Sequence, residues 1–379
     1  MAAADNSKPP ARAGSRPSWK QALGFAFRSW SGWLLAAVPL AVTLELFHVG
    51  GLAIFAASAI AIVPLAAVLG DATEELSLQL GPSAGGLLNA TFGNASELII
   101  AFFALRAGQV DVVQASLTGS IIGNLLLVFG LSAFLGGLGR ERQRFSRAMA
   151  GANTSMLILA VAGLVMPALF SLVVSGSLTA PPSSRVELLS EWTAAVLLIV
   201  YIAGLIFSQV THRSLTARSE HRPPKLTRAG AIAVMLAATA LIAWMSELFV
   251  GTIEPAARAL GMSRLFVGVI VVATIGNAAE HAVAVVAARR DQMDLAVAVS
   301  MGSSVQIALL VGPLLVISSL FMGTHMTLVF NPFEIVAVAL AVIIMVSTCL
   351  DGETNWLEGL MMLALYAILA IAFYFVPAA

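Results

Sequence analysis

The chain has 379 residues, 59% of them hydrophobic and 11% charged, with no formal net charge and a mean hydropathy of +0.94. Soluble domains carry about 25% charged residues, so a water-covered globule is excluded, and zero net charge excludes a global basic field for nucleic acid. The single cysteine, Cys349, excludes a disulfide framework and a cysteine-based zinc site.

Residues 1–30 are predicted as a disordered cytosolic tail. The stretch 1–20 is polar, rich in Ala, Pro and Ser, and lacks the apolar core of a cleavable signal peptide. Beyond it the chain becomes a series of long apolar runs. A hydrocarbon core of about 30 Å takes about 20 helical residues to cross. Eleven runs meet that length, near 32–49, 51–72, 86–105, 112–138, 150–173, 190–210, 229–250, 264–288, 294–319, 331–348 and 356–377. The fold class expected is therefore an all-α polytopic membrane protein with about 11 transmembrane helices.

The second span ends in three acids, Asp71, Glu74 and Glu75, and the seventh carries Glu247 and Glu254. These are either a vestibule that concentrates cations or ordinary interfacial charge. The third span opens a stretch, 93–120, that returns at 276–303 without a gap at a constant offset (276 − 93 = 183). Gly93/Gly276, Asn94/Asn277, Glu97/Glu280, Arg106/Arg289, Gln109/Gln292, Asp111/Asp294, Gly119/Gly302 and Ser120/Ser303 all pair. Asn89, Gly93 and Glu97 follow at i, i+4 and i+8, one polar stripe with a small residue in it.

A charge at the bilayer centre costs about 2.5–3.5 kcal/mol on insertion scales, and such residues face polar cavities. One buried Glu can be a protonated structural donor; two at equivalent positions point to a site. At the far end of each copy, Ser120 and Asn124 share a helical face, as do Ser303 and Gln306. With Glu97, Glu280, Asn94, Asn277 and Asn89 they form an all-oxygen donor set, which suits a hard cation such as Ca²⁺. Proton coupling is assigned to Glu97 and Glu280, with His281 either joining them or serving as a core imidazole. Gly93 and Gly276 allow close helix approach or a helix break. Glu45, Glu334, Asp351, Glu353 and Glu358 read as interfacial or capping charge.

Orientation follows from the basic residues. With the N-terminus cytosolic, sixteen of the twenty lie inside: Lys8, Arg12, Arg16, Lys20, Arg28, Arg140, Arg142, Arg144, Arg147, Arg213, Arg218, Arg222, Lys225, Arg228, Arg289 and Arg290. Only Arg106, Arg185, Arg258 and Arg264 fall outside, which places the C-terminus on the opposite side. The two copies open five spans apart, so they enter the membrane from opposite faces. The domain plan expected is an extra transmembrane helix (31–50), a first five-helix repeat (51–210), a cytosolic linker (211–228) and a second five-helix repeat (229–379). Such 5+5 inverted repeats build secondary transporters with cargo held near the midplane.

Four stretches carry a family resemblance: G-L-L-N-A-T-F-G-N-A-S-E-L-I-I-A (86–101), S-E-L-F-V-G-T-I-E (246–254), G-N-A-A-E-H-A (276–282) and D-G-E-T-N-W-L-E-G (351–359). On these the chain resembles the cation/proton exchanger family, the Ca²⁺/H⁺ antiporters, within the Ca²⁺/cation antiporter superfamily. The resemblance implies an eleven-span fold with ten in an inverted-repeat core, and Glu97 and Glu280 as central Ca²⁺ and H⁺ ligands. It also implies supporting oxygens from Ser120, Asn124, Ser303 and Gln306. Ala273 departs from the family's usual proline, and the linker is basic where many relatives are acidic.

The function expected is Ca²⁺/H⁺ exchange by alternating access, with Ca²⁺ and H⁺ as cargo, the lipid bilayer as solvent, and no cofactor. Exchange of Na⁺ for Ca²⁺, or transport of Mn²⁺ or Mg²⁺, is the alternative within the class, and a passive cation channel the alternative outside it. No H-E-x-x-H or G-x-G-D motif supports an intramembrane protease. An Ala- and Arg-rich chain, whose only lysines are Lys8, Lys20 and Lys225, points to a bacterial plasma membrane.

Overall fold

The computed structural model describes residues 32–176, 183–212 and 223–377. The predicted tail and the middle of the predicted linker lie outside them. The described chain is helical nearly throughout. In order it forms α1 (Gly32–Leu46), α2 (Gly51–Leu80) and a bent pair, α3 (Pro82–Phe92) and α4 (Ala95–Arg106). Then come α5 (Val110–Gly137), α6 (Arg147–Ser175), α7 (Ser184–Thr211), α8 (Arg228–Leu260), α9 (Arg264–Arg289), α10 (Met293–Ser319), α11 (Pro332–Cys349) and α12 (Trp356–Phe375). Among the described residues nine helices are individually long and apolar enough to cross a membrane. The protein is an integral multi-pass membrane protein.

Two boundaries move from their sequence positions. α2 continues to Leu80, past the predicted end near 72, and α8 continues to Leu260, past 250. Helix continues while backbone pairing is available, and the acids on these last turns are exposed, as Asp71 and Glu74 are, or hydrogen-bonded, as Glu75 and Glu254 are. The third run is not one helix: α3 and α4 meet at 41° across Gly93 and Asn94.

In lipid no hydrophobic force draws helices together, so close packing and polar contacts hold the bundle. α2 lies along α8, with Phe55 and Phe249 stacked at 4.8 Å between ring centroids. Gly51 meets Pro255 so closely that a Cβ there would lie 3.1 Å from its ring. These two contacts run in opposite sequence directions, so α2 and α8 are antiparallel. The most apolar stretch of α5 is 78% buried, that of α7 17%; α5 belongs to the core and α7 faces lipid.

The two sequence copies also share backbone detail. Gly108 (φ +76°) and Asp291 (φ +63°) occupy equivalent turn positions in the left-handed region. Their neighbours bond alike, Gln109 N–H to Ala104 C=O and Gln292 N–H to Ala287 C=O, each 183 apart. Further along, α5 widens to a π-helical turn at Gly123–Val128 and α10 at Ile307–Val311. Such turns concentrate at functional sites, and here each follows the polar end of its copy.

One edge of the bundle is sewn by the α5–α6 loop. Its strand β1 (Gln143–Arg144) pairs antiparallel with β2 (Glu353–Thr354), between α11 and α12. Glu353 takes Arg142 at 3.0 Å and Arg144 at 3.1 Å. The Arg142 hydrogen bond holds its carboxyl below the ordinary range. Arg140 reaches the Ala288 and Arg289 carbonyls at the end of α9, each at 3.2 Å.

Candidate cation-binding site

The site is built where the two copies cross. Glu97 stands in the first turn of α4, where the helix N-terminus favours a carboxylate. It is 8% exposed and accepts a hydrogen bond from Ser96 Oγ at 3.1 Å, while its Oε1 is buried without a partner among the described residues. Glu280, on α9, is half-buried and accepts from Ser303 Oγ at 2.5 Å.

The repeated placement of the glycines in the two copies now has a cause in space. A Cβ on Gly276 would lie 3.1 Å from Glu97 Cγ and 3.6 Å from its Oε1. A Cβ on Gly93 would lie 3.8 Å from Glu280 Oε1, 3.4 Å from Gln306 Oε1 and 2.9 Å from the Asn89 carbonyl. Each glycine makes room for the carboxylate of the other copy.

The asparagines cross in the same way. Asn94 Nδ2 donates to Gln306 Oε1 at 2.5 Å, and its Oδ1 is buried without a partner among the described residues. Asn277 Nδ2 donates to Ser120 Oγ and to the Ala273 carbonyl, both at 2.9 Å, and its Oδ1 accepts from Asn124 Nδ2 at 3.2 Å. Asn277 is therefore fully engaged, whereas Asn94 keeps an oxygen to offer. A cavity of about 10 Å³, room for about one water-sized body, lies beside Glu97 and is lined by Ser116, Ser120, Ala273 and Gly276 among others.

Backbone differs between the copies although the Gly-Asn dipeptide is the same. At Gly93–Asn94 the helix breaks, with Asn94 at φ −102°, ψ 30°. At Gly276–Asn277 it runs on through α9, consistent with Ala273 in place of a proline. The break also divides the i, i+4, i+8 stripe: Asn89 is exposed on α3 and stands apart from the hydrogen-bonded set. His281 is half-buried on the next position of α9 and stays outside that set too.

Eight predicted residues thus come together: Glu97, Glu280, Asn94, Asn277, Ser120, Asn124, Ser303 and Gln306. The five vestibule acids do not. Because α2 and α8 are antiparallel, Asp71 and Glu74, exposed near the end of α2, lie far from Glu254 near the end of α8. Glu254 is committed to Arg258 at 2.9 Å and to Arg264, which also reaches Asp111. Glu75 is 1% exposed, and its carboxylate accepts the Lys225 N–H at 2.5 Å and the Leu226 N–H at 3.2 Å. It anchors the start of α8. Glu247 is exposed on α8. Ser96 was missed, since Ala279 occupies its position in the second copy and pairing the copies hides it; its hydroxyl also reaches the Gly276 carbonyl at 3.3 Å.

Fold and site together define a polytopic membrane protein with paired carboxylates and amide oxygens held between two internal copies. The sequence profile of the family described as sodium/calcium exchanger protein matches residues 50–210 and 230–375. The chain is 46% identical over 363 residues to the Ca²⁺/H⁺ antiporter of Synechocystis, covering 91% of this chain and 96% of that one. It is 44% identical over 346 residues to the Ca²⁺/H⁺ antiporter ChaA of Bacillus subtilis, covering 89% and 97%. The solved structure of native YfkE superposes with a TM-score of 0.79 at 42% identity, covering 91% of this chain and all of that one. The H⁺/Ca²⁺ exchanger CAX shares the fold, with a TM-score of 0.69 at 16% identity over 94% of this chain and 92% of that one. The chain belongs to the sodium/calcium exchanger protein family.

Proposed function

We propose that this chain is a secondary active transporter that exchanges Ca²⁺ for H⁺ across a membrane by alternating access, Glu97 and Glu280 binding either cargo. The observation that carries the reading is the reciprocal placement of each carboxylate over the glycine of the other copy. Two carboxylates in one dry site are not stable together ionised and unpaired. The site is satisfied by one divalent cation or by protons, and a crossing without cargo is suppressed. Competition for binding thereby becomes exchange. Ser120, Asn124, Ser303, Gln306 and Asn94 supply supporting oxygens, and no resident cofactor or enzymatic step is required. The names of the relatives, Ca²⁺/H⁺ antiporters at 42–46% identity, support this cargo pair.

The nine long helices, the bent pair and α1 are read as eleven spans, with a 5+5 inverted repeat after the first. The antiparallel α2 and α8, at equivalent positions of the two copies, support the inversion. The distribution of positive residues supports a cytosolic N-terminus and a C-terminus on the opposite side, and the Ala- and Arg-rich, Lys-poor composition supports a bacterial plasma membrane.

The experiment is uptake of ⁴⁵Ca²⁺ into sealed inverted vesicles carrying an imposed proton gradient. Uptake that needs the gradient and stops when it is collapsed is expected. Uptake indifferent to the gradient would make the protein a passive cation channel.

A further inference from the structure

The break between α3 and α4 releases a backbone carbonyl. In a continuous helix the Ala90 C=O accepts the Asn94 N–H. Here the last helical bond before the break is Gly93 N–H to Asn89 C=O, at 2.8 Å. The Ala90 carbonyl accepts the Tyr201 hydroxyl of α7 instead, at 3.0 Å. Tyr201 is 6% exposed and Ala90 8%, so water does not compete for that bond. In the second copy no such prop is seen among the described residues. The equivalent carbonyl, Ala273, stays inside an unbroken α9 and takes Asn277 Nδ2 from its own helix.

A buried carbonyl left without a donor is unfavourable enough to choose between conformations. A carbonyl can take two donors, so Tyr201 does not exclude the Asn94 N–H; it satisfies the Ala90 oxygen when the break removes that donor, and so favours the broken shape over the straight one. In the broken shape Asn94 leaves helical geometry, and its amide reaches Gln306. In the straight shape the Asn94 N–H is a donor and the side chain of Asn94 is carried elsewhere. Tyr201 touches neither carboxylate, and α7 is the least buried of the long helices. Its hydroxyl nonetheless reaches the one point on which the shape of the site turns.

We infer that Tyr201 is a positioning residue of the site: by donating to the carbonyl released at the break, it holds α3 and α4 apart and keeps Asn94 on Gln306. The inference rests on reading this site as the cargo site, but its first readout does not depend on the cargo.

The test is Tyr201→Phe, which keeps the ring in place and removes only the donor. Hydrogen–deuterium exchange by mass spectrometry on the purified full chain reports residues 90–97, with Tyr374→Phe, on an exposed tyrosine far from α3, as control. Loss of the prop should move the balance toward the straight helix by about tenfold, within the range for one net hydrogen bond. Exchange in 90–97 then slows, because Asn94 N–H regains a helical partner, and apparent Ca²⁺ affinity falls by the fraction of molecules that leave the broken shape. A purely structural tyrosine would give the opposite sign, since loosened packing speeds exchange. Unchanged or faster exchange in 90–97 overturns the inference. Absence of Ca²⁺ binding by the wild type would instead overturn the transport reading, and leaves the exchange result to stand or fall by itself.

Discussion

Glu97 and Glu280 stand at equivalent positions of the two sequence copies and have different neighbours in space. One takes Ser96 of its own helix and the other Ser303 of α10. Their pairing at one offset was legible in the sequence because a carboxylate inside an apolar run is expensive and this chain carries two that match. The role of Gly93 and Gly276 was not legible, since a glycine before a polar cluster fits packing, a break or a cradle equally well. Glu97→Gln and Glu280→Gln keep the side-chain shape and remove the charge that either cargo neutralises. Each should abolish ⁴⁵Ca²⁺/H⁺ exchange with membrane insertion intact; a variant that exchanges at near-normal rate would remove its residue from the site. Gly276→Ala tests the cradle. The added Cβ presses on Glu97 Cγ at 3.1 Å, whereas one on Gly302 meets nothing within 4 Å. Ca²⁺ affinity should fall about tenfold in Gly276→Ala, roughly the 1.4 kcal/mol of one displaced contact, and stay unchanged in Gly302→Ala. Equal affinities in the two variants would show that Glu97 does not need the space.

At the scale of elements, hydropathy gave the apolar runs and their order, because each run is long enough to cross a bilayer whatever its partners. It could not give the bend at Gly93–Asn94, for the same dipeptide stays helical at Gly276–Asn277. Tertiary hydrogen bonds differ between the two, and no local pattern reports them. The vestibule acids were misgrouped for a related reason: antiparallel packing sends helix ends with similar composition to opposite places. The β1–β2 clasp is likewise a long-range pairing, of residues 143–144 with 353–354. Its Glu353 has a folded pKa lowered by the Arg142 hydrogen bond and by Arg144. A lowered folded value means the contribution is complete above the unfolded value of about 4.3 and is lost as pH falls through the folded one. Glu353→Gln should therefore be less heat-stable than wild type at neutral pH, and the gap should close in acid below the usual carboxylate range. A gap that is constant with pH would mean the ion pairs do not hold the clasp. Glu353 is well solvated, so the gap is small.

For the whole molecule, the repeat and the charge asymmetry were readable together, and both follow from a membrane being a solvent with two distinguishable sides. The crossed contacts between Asn94 and Gln306, and between Asn277 and Ser120, join the two copies, which is the arrangement expected of an inverted repeat. The topology predicts that an impermeant thiol reagent added outside cells, in a Cys349→Ala background, misses Ser146→Cys and labels a cysteine appended at the C-terminus. The reverse pattern would invert the molecule. The central claim is that Ca²⁺ and protons compete for the same two carboxylates, and equilibrium Ca²⁺ binding to the purified protein from neutral to acid pH tests it most directly. Protonation removes the charge that Ca²⁺ requires, so apparent affinity should fall steadily as pH falls, and Glu97→Gln and Glu280→Gln should each bind weakly at every pH. An affinity that stays flat across that range, or a pH dependence that survives both substitutions, would contradict the account.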